Sequence, residues 1–306
     1  MDIGILAQYL FNGVMLGMIY ALVAVGFSLF FGVLNVINFS HGDVVAVGAF
    51  GSLGALSLVG LFGTLPAGVL LSIGLLTAVA LSAVCGTLVG RVLVLPLRNA
   101  PSTNVLFASL MAGTMLRESI RLIVPNGGNP KPFPALLPHG NLVLGSFSVG
   151  IDGLLILAAT VAVVLATHLL VTKTRVGLAI RAVAQDSEVA SLSGINFQGV
   201  VLGTLALGSA LAGFSGFMLG LYYHEVNFNM GLLLGVIGYA SAVVGGLGSL
   251  LGPVLGGFLF AGVQTFTTVA VPYASAYKDV VAFGIIIILI GIFPTGLIAE
   301  KSSERV

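Results

Sequence analysis

Long apolar stretches, separated by short polar or Pro- and Gly-rich breaks, dominate the chain. Each stretch has roughly the length that a ~30 Å hydrocarbon layer requires of a helix. The second and seventh are short and glycine-rich, so either can be a broken or re-entrant helix, and a count of eight also fits the pattern. The pattern predicts an all-α polytopic membrane protein with about nine spans, at about 5–34, 43–60, 66–90, 102–121, 152–172, 199–222, 231–248, 253–272 and 280–297.

Composition agrees with this interpretation. The chain has 306 residues, of which 11 are Lys or Arg and 10 are Asp or Glu, so only 7% are charged, while 58% are hydrophobic. In soluble domains, about a quarter of all residues are usually charged. A soluble surface cannot be built from this composition, which argues against a soluble enzyme and against nucleic-acid binding.

The positions of Lys and Arg in short loops predict the orientation, because cytoplasmic loops carry an excess of these residues. Seven basic residues lie inside if the C-terminus is cytoplasmic: Arg91, Arg98, Lys173, Arg175, Arg181, Lys301 and Arg305. Four then lie outside: Arg117, Arg121, Lys131 and Lys278. This orientation makes the Pro-rich loop 125–151 the largest external segment, long enough to contact a soluble partner.

Two stretches resemble each other and predict an internal repeat. Gly26-Phe27-Ser28 precedes Asn38-Phe39 and Gly42, and Gly213-Phe214-Ser215 precedes Asn227-Phe228 and Gly231. The predicted topology places the two copies on opposite faces, as in the inverted repeats from which many transporters are built. Chance similarity is the competing explanation in a chain so rich in Gly, Phe and Ser. The repeat interpretation treats residues 1–306 as one domain, with a first repeat at about 5–121, a linking span at about 152–172, a cytoplasmic segment at about 173–198 and a second repeat at about 199–297.

The densest polar group within apolar sequence comprises Asn35, Asn38, Ser40, His41 and Asp43, with Gly42 among them. An ionised Asp at the centre of a lipid-facing helix costs about 2.5–3.5 kcal/mol, so such residues normally face protein, a cavity or water. One interpretation is a short cytoplasmic turn in which Ser40 or Asn38 caps the next helix. The other is a discontinuous helix whose polar end lines a translocation path.

A second polar group follows the sixth span. It contains His224, Glu225, Asn227 and Asn229, and it reads as a solvated loop or as an external entry gate. In the fourth span, Arg117 and Arg121 share a helix face, where we expect them to reach the interface or to pair with Glu118. A contact surface for an acidic partner is the less favoured interpretation of these two arginines.

The segment between the fifth and sixth spans, Lys173 to Glu188, holds five charges, the highest density outside the tail. If this segment continues as a helix to Gly194, it has an apolar side formed by Leu178, Val183, Val189 and Leu192. Mixed charge favours docking into another protein over lying on a lipid surface. The polar side and end of this helix are predicted to contact a partner: Arg181, Gln185, Asp186, Glu188, Ser191 and Gly194.

Other chemistry has little support in the sequence. The four histidines, His41, His139, His168 and His224, have no metal-ligand spacing on one helix, and the single Cys85 has no partner. The phosphate-binding motif Gly-x-x-x-x-Gly-Lys-[Ser/Thr] does not occur, so we expect no nucleotide hydrolysis by this chain. We predict no catalytic residues, no metal and no cofactor.

Several segments together resemble one family, the permease subunits of ABC transporters for branched-chain amino acids, of the LivH type. Arg175–Asn196 resembles the ATPase-coupling region of that family. Four further segments resemble it in the family's order: Asn35–Asp43, Val244–Gly257, Tyr277–Asp279 and Phe293–Leu297. The loop 125–151 is the least similar part.

The resemblance implies an ABC importer permease in a bacterial inner membrane. It implies a second homologous permease subunit, two cytoplasmic ATPases that carry ATP and Mg, surrounding lipid, and a periplasmic or cell-surface substrate-binding protein. It places coupling on 181–194 and makes a substrate pathway plausible for 38–43. Branched-chain or other neutral amino acids are the implied substrates, with urea or short amides as alternatives. An autonomous ion-coupled carrier is less compatible, since Asp43 is the only candidate carboxylate within a span.

Overall fold

The computed structural model describes residues 3–63, 65–138, 140–144, 147–270 and 274–298. The described residues are mostly helical, with these helices: α1 (Ile3–Leu34), α2 (Ser40–Gly60), α3 (Ala67–Val89), α4 (Ser102–Ile123), α5 (Ile151–Lys173), α6 (Arg175–Gln185), α7 (Ser187–Leu192), α8 (Phe197–Tyr223), α9 (Met230–Gly245), α10 (Leu251–Ala270) and α11 (Lys278–Ile292).

Every predicted span corresponds to a helix, so the prediction of a polytopic helical membrane protein is confirmed. Seven helices among the described residues are long and apolar enough to cross a membrane. The other two predicted spans are α4, which carries Arg117, Glu118 and Arg121, and the short α9 of 16 residues. At ~1.5 Å per residue, α9 is shorter than a ~30 Å hydrocarbon layer.

Four short strands lie between the helices, and the sequence did not predict them. β1 (Lys131–Pro132) pairs antiparallel with β4 (Glu225–Val226), and β2 (Asn141–Leu144) forms a hairpin with β3 (Phe147–Gly150). The loop between α4 and α5 is therefore tied to the loop between α8 and α9. Phe133 in this loop is buried, and its ring packs against Phe217 of α8 with centroids 5.8 Å apart.

The contacts among six of the helices follow a repeating pattern. The contact of α1 with α10 corresponds to the contact of α8 with α3. The contact of α2 with α3 corresponds to the contact of α9 with α10. Helix α2 also packs on α8 as α9 packs on α1. Exchanging α1 with α8, α2 with α9 and α3 with α10 converts each of these contacts into its counterpart.

Helices α1 and α8 form the central antiparallel pair. Phe30 near one end of α1 packs against Gly208 of α8, while the Ser215 hydroxyl donates to the Ile19 carbonyl at 3.4 Å. Both helices are buried over most of their length. The pair joins the two halves of the bundle.

Helices α2 and α9 meet near their first turns with almost no side-chain volume between them. A Cβ atom on Gly42 would lie 2.5 Å from the Gly231 carbonyl oxygen and 2.5 Å from the Gly235 Cα. A Cβ on Gly231 would likewise lie 2.6 Å from the Gly42 carbonyl oxygen. Small residues allow such close approach of helices in a membrane. The equivalent glycines of the two copies therefore contact each other directly.

We expect Gly42→Ala to destabilise the protein by about 1–3 kcal/mol, because the added methyl group overlaps backbone atoms that cannot move away easily. The measurement is thermal unfolding in detergent, followed with a thiol-reactive fluorogenic dye. The dye reports unfolding through Cys85, the single cysteine of the chain, which is partly buried.

Gly54→Ala in the same helix is the matched control, since nothing lies within 4 Å of a Cβ at this exposed position. Alanine is the better helix former, so this variant is expected to unfold at the same or a slightly higher temperature. Equal unfolding temperatures for Gly42→Ala and Gly54→Ala would contradict a tight contact between α2 and α9.

Candidate functional site

The polar turn that begins α2 lies deep in the bundle. His41 is completely buried, and its Nε2 lies 3.2 Å from the Val23 carbonyl oxygen, which can only accept a hydrogen bond. Val23 is ~16 Å along the axis from the end of α1 at Leu34. The five residues after α1 therefore lead the chain back along α1 and into the bundle.

The buried turn satisfies most of its own polar groups. The Asn38 side-chain oxygen accepts hydrogen bonds from the Ser40 backbone N–H at 3.2 Å and from the Ser40 hydroxyl at 2.6 Å. The Ser109 hydroxyl of α4 accepts from the Phe39 backbone N–H at 3.0 Å. These bonds replace the partners that the first N–H groups of a helix otherwise lack, so a helix can begin inside the bundle.

Aromatic rings surround His41. Phe27 and Phe30 of α1 both contact its ring edge-on, each with a centroid distance of 4.8 Å. Phe27 also packs against Tyr239 of α9, at 5.9 Å. The His41 Nδ1 is buried without a hydrogen-bond partner among the described residues.

Asp43 forms a buried ion pair with Arg117 of α4, which the sequence analysis missed. The Arg117 Nε lies 3.7 Å from Asp43 Oδ1, and both side chains are almost fully buried. The expectation that Arg117 reaches the interface or pairs with Glu118 is wrong. Glu118 pairs instead with Arg121, at 3.2 Å on the exposed side of α4. A partner on another helix cannot be identified from spacing along one helix, but an arginine within an apolar span already signals a buried acceptor.

The other predicted pathway residues have different surroundings. Asn35 follows α1, is exposed and adopts a left-handed backbone conformation with φ of 52°. Asn227 is half-buried and its side-chain oxygen accepts from the Asn229 backbone N–H at 2.9 Å, while Asn229 itself is exposed. These two asparagines lie just before α9, so the structure brings the second polar group to the start of α9 as it brings the first to the start of α2.

The segment predicted as one helix over 178–192 consists of two helices. Asp186 ends α6 with extended backbone and caps α7, because its Oδ1 accepts from the backbone N–H groups of Glu188 and Val189 at 2.9 and 3.0 Å. Such a side chain competes with a continuous helix and favours a new start. Gly194, with φ of 83°, ends α7 as predicted.

Helices α6 and α7 pack onto the central pair α1 and α8. Ile180, Val183 and Ala190 are buried in one cluster with residues at the ends of α1 and α8, namely Phe30, Val33, Val201 and Leu205. We call this the α6–α7 end of the bundle. The predicted coupling residues Arg181, Gln185, Asp186, Glu188, Ser191 and Gly194 are all exposed there.

An exposed apolar surface remains on α6 and α7. The sequence places Val183 on the apolar side together with Leu178, Val189 and Leu192, but only Val183 is buried. Leu192 is 89% exposed. The remaining surface, which we call the α6–α7 apolar surface, consists of Val176, Leu178, Val189 and Leu192. Exposed apolar groups flanked by charges are typical of a protein contact.

We expect Asp43→Asn and Arg117→Gln to destabilise the protein by about 3–5 kcal/mol each, because either change leaves a buried charge without its partner. The loss of unfolding free energy in the double variant is expected to be clearly smaller than the sum of the losses in the two single variants. Thermal unfolding in detergent measures this coupling.

Glu118→Gln is the control, since it breaks an exposed ion pair on the same helix that contributes about 0–1 kcal/mol. Additive effects of the two buried substitutions would contradict a direct Asp43–Arg117 interaction.

Some predicted features fall outside the described residues, namely His139 and the tail with Lys301 and Arg305. Within the described residues, no group of three or more His, Cys, Asp or Glu side chains is arranged to hold a metal ion.

Comparison with known proteins identifies the family. A family model described as the permease component of the branched-chain amino acid transport system matches residues 9–290. The high-affinity branched-chain amino acid transport system permease protein BraD of Pseudomonas aeruginosa is 31% identical over 304 residues, which cover 98% of this chain and 97% of BraD. LivH of Escherichia coli K12, with the same description, has the same identity and coverage.

A more distant relative comes from an archaeon. The probable branched-chain amino acid transport permease protein LivH of Methanocaldococcus jannaschii is 30% identical over 287 residues, covering 91% of this chain and 86% of the relative. Similarity extends over nearly the whole of both chains in each case, and the resemblance found in the sequence is confirmed. The chain therefore belongs to the family of permease components of branched-chain amino acid transport systems.

Proposed function

We propose that this chain is one membrane subunit of an ATP-driven ABC importer that translocates branched-chain amino acids. The full-length similarity to relatives described as high-affinity branched-chain amino acid permeases carries this proposal. Two helices that begin inside the bundle and meet there support a translocation function, because irregular backbone at membrane depth is tolerated where it is buried in protein or lines a water-filled cavity.

The proposed pathway follows the two helix starts. Asn38, Ser40, His41, Gly42 and Asp43 form the turn before and within the first turn of α2. On the other side of the α2–α9 contact, Asn227 and Asn229 precede α9, and Asn35 borders the end of α1. An amino acid that passes along this route replaces its hydration water by contacts with these polar groups, one group after another. Weak, successive contacts suit a route in which the delivery protein supplies the affinity.

The proposed ATPase contact is the α6–α7 apolar surface with the charged residues around it. The buried side of α6 packs on Phe30, which also contacts His41. A displacement of α6 and α7 is therefore transmitted to the start of α2 through a single residue of α1. ATP binding in the partner subunits moves this segment and switches access between the two faces of the membrane.

The proposed assembly contains a second homologous permease subunit, two ATPases and an external delivery protein. The α6–α7 end and the C-terminus face the cytoplasm of a bacterial inner membrane in this arrangement, and the opposite end receives the delivery protein. ATP and Mg bind to the ATPases, and this chain performs no catalysis. Exposed apolar residues on α3, α4 and α11 include Leu76, Val84, Met115 and Ile287, which are available to lipid and to the second permease.

We expect Leu192→Asp to reduce copurification of the ATPase subunits by at least about tenfold, because truncating or charging a central apolar contact typically costs 2 kcal/mol or more of binding energy. Leu192 is almost fully exposed, so the substitution leaves the fold of the permease intact. Pull-down of the ATPases with a tagged permease, quantified by gel densitometry, measures the effect.

The matched control is Leu61→Asp, which charges an equally exposed leucine that follows α2. It is expected to copurify with the ATPases at the wild-type level. Wild-type recovery of the ATPases with Leu192→Asp would exclude the α6–α7 apolar surface as their dock.

The test of the function itself is uptake by proteoliposomes that contain the complete importer and its delivery protein. We expect ATP-dependent accumulation of radiolabelled leucine, isoleucine or valine, and none with ADP. A panel with urea, acetamide and small neutral amino acids defines the substrate range. Uptake that needs an ion gradient and no ATPase subunits would overturn the proposal.

A further inference from the structure

A pocket of about 350 Å³ opens between α1, α8, α9 and the first turn of α11. It lies beside the C-terminal end of α8, away from the α6–α7 end. This volume falls within the range of sites for small molecules.

Both signs of charge line this pocket. Glu225 and Asp279 contribute carboxylates and Lys278 contributes an ammonium group. None of the three forms an ion pair with another described residue. Lys278 and Asp279 are half-buried, whereas Glu225 is exposed. A half-buried charge gains from a partner of opposite sign. The pocket is therefore suited to a ligand that carries a positive and a negative charge close together.

Gln264 of α10 holds Asp279 in position. Its Nε2 donates a hydrogen bond to Asp279 Oδ1 at 2.6 Å. Gln264 is only 4% exposed, and its Oε1 is buried with no hydrogen-bond partner among the described residues. Gln264 itself does not line the pocket, but it fixes the orientation of the Asp279 carboxylate, which does. A carboxylate favours an ammonium group as its partner.

The opposite wall of the pocket is aliphatic. Leu219 of α8 and Leu233, Leu234 and Ile237 of α9 line it together with Met230. Tyr20 of α1 is 5% exposed, lines the pocket and packs edge-on against Phe260 with a centroid distance of 6.0 Å. A branched aliphatic side chain of a ligand gains free energy by leaving water for such a surface.

The pocket borders the contact between the two interrupted helices. Leu234 lines the pocket, and the next residue, Gly235, packs against Gly42 of α2. Asn227, which belongs to the route proposed above, also lines the pocket, so the pocket adjoins that route.

We propose that this pocket is a binding site for a small zwitterion with an aliphatic side chain, and the inference rests on the proposed function. Asp279 and Glu225 face the ammonium group, Lys278 faces the carboxylate, and the wall formed by α8 and α9 takes the side chain. The site recognises the two charges that every free amino acid shares, together with an apolar side chain of limited size.

The test is photolabelling of the complete purified importer with photo-leucine, a diazirine analogue of leucine, without the delivery protein. Mass spectrometry locates the label. We expect labelled peptides from 219–237 or 278–279, and excess leucine is expected to suppress the label. Neither 4-methylpentanoate, which lacks the ammonium group, nor isopentylamine, which lacks the carboxylate, should suppress it at the same concentration. If either compound suppresses the label as strongly as leucine does, recognition of a zwitterion is overturned.

Variants test the assigned charges. Asp279→Asn and Lys278→Met are each expected to reduce labelling about tenfold, as for the loss of one charge-assisted hydrogen bond. Asp152→Asn is the matched control, because Asp152 is also a half-buried carboxylate in the first turn of a helix but does not line the pocket. The Asp152→Asn variant should be labelled to the same extent as the wild type. Wild-type labelling of both pocket variants, with unchanged unfolding temperatures, overturns the site.

Uptake separates the failure of this site from the failure of the proposed function. An importer that accumulates leucine with ATP but shows no competed label at the pocket contradicts the site alone. An importer that accumulates no branched-chain amino acid, but shows label at the pocket that leucine suppresses, contradicts the proposed function alone.

Discussion

The backbone contact between α2 and α9 determines where both helices begin. Gly42 and Gly231 leave no room for a Cβ atom at either position, so the two backbones touch near the first turns of their helices. Since α2 meets α9 there, it must begin inside the bundle, beside the middle of α1. A helix that begins at this depth needs partners for its first N–H groups, and the Asn38 side chain and the Ser109 hydroxyl supply hydrogen bonds at this start.

The same geometry explains why charge is tolerated at this depth. Asp43 in the first turn of α2 lies against α4, where Arg117 offsets its charge. Desolvation makes a buried pair of this kind a weak source of stability, and a conformational or functional role is the better explanation for keeping it. A helix start held by polar bonds and one ion pair can rearrange at lower cost than a continuous apolar helix, which suits a route that must open and close.

The sequence predicted the nine helical spans and the end of α7 at Gly194, because these follow from local hydrophobicity and from the conformational preference of glycine. It also located the polar turn at Asn38–Asp43, but the depth of this turn could not be deduced, since depth depends on which helices surround it. The Asp43–Arg117 pair joins residues far apart in the chain and leaves no periodic signal. The break at Asp186 was missed because an apolar stripe continues through it, although Asp followed by Ser-Glu is typical of a helix start.

Phe30 links the proposed pathway and the proposed ATPase contact, since it shares a buried cluster with Ile180 and Val183 of α6 and contacts the His41 ring. The proposed function requires the α2 turn to line a route whose access depends on the ATPases. This requirement is tested with Asn38→Cys in a Cys85→Ala background, by the rate at which the cysteine reacts with a charged, water-soluble thiol reagent. In the complete importer, the rate is expected to differ at least about tenfold between the nucleotide-free and the ATP-bound state. A cysteine that reacts in neither state, in a protein that still transports, would exclude the α2 turn from the route.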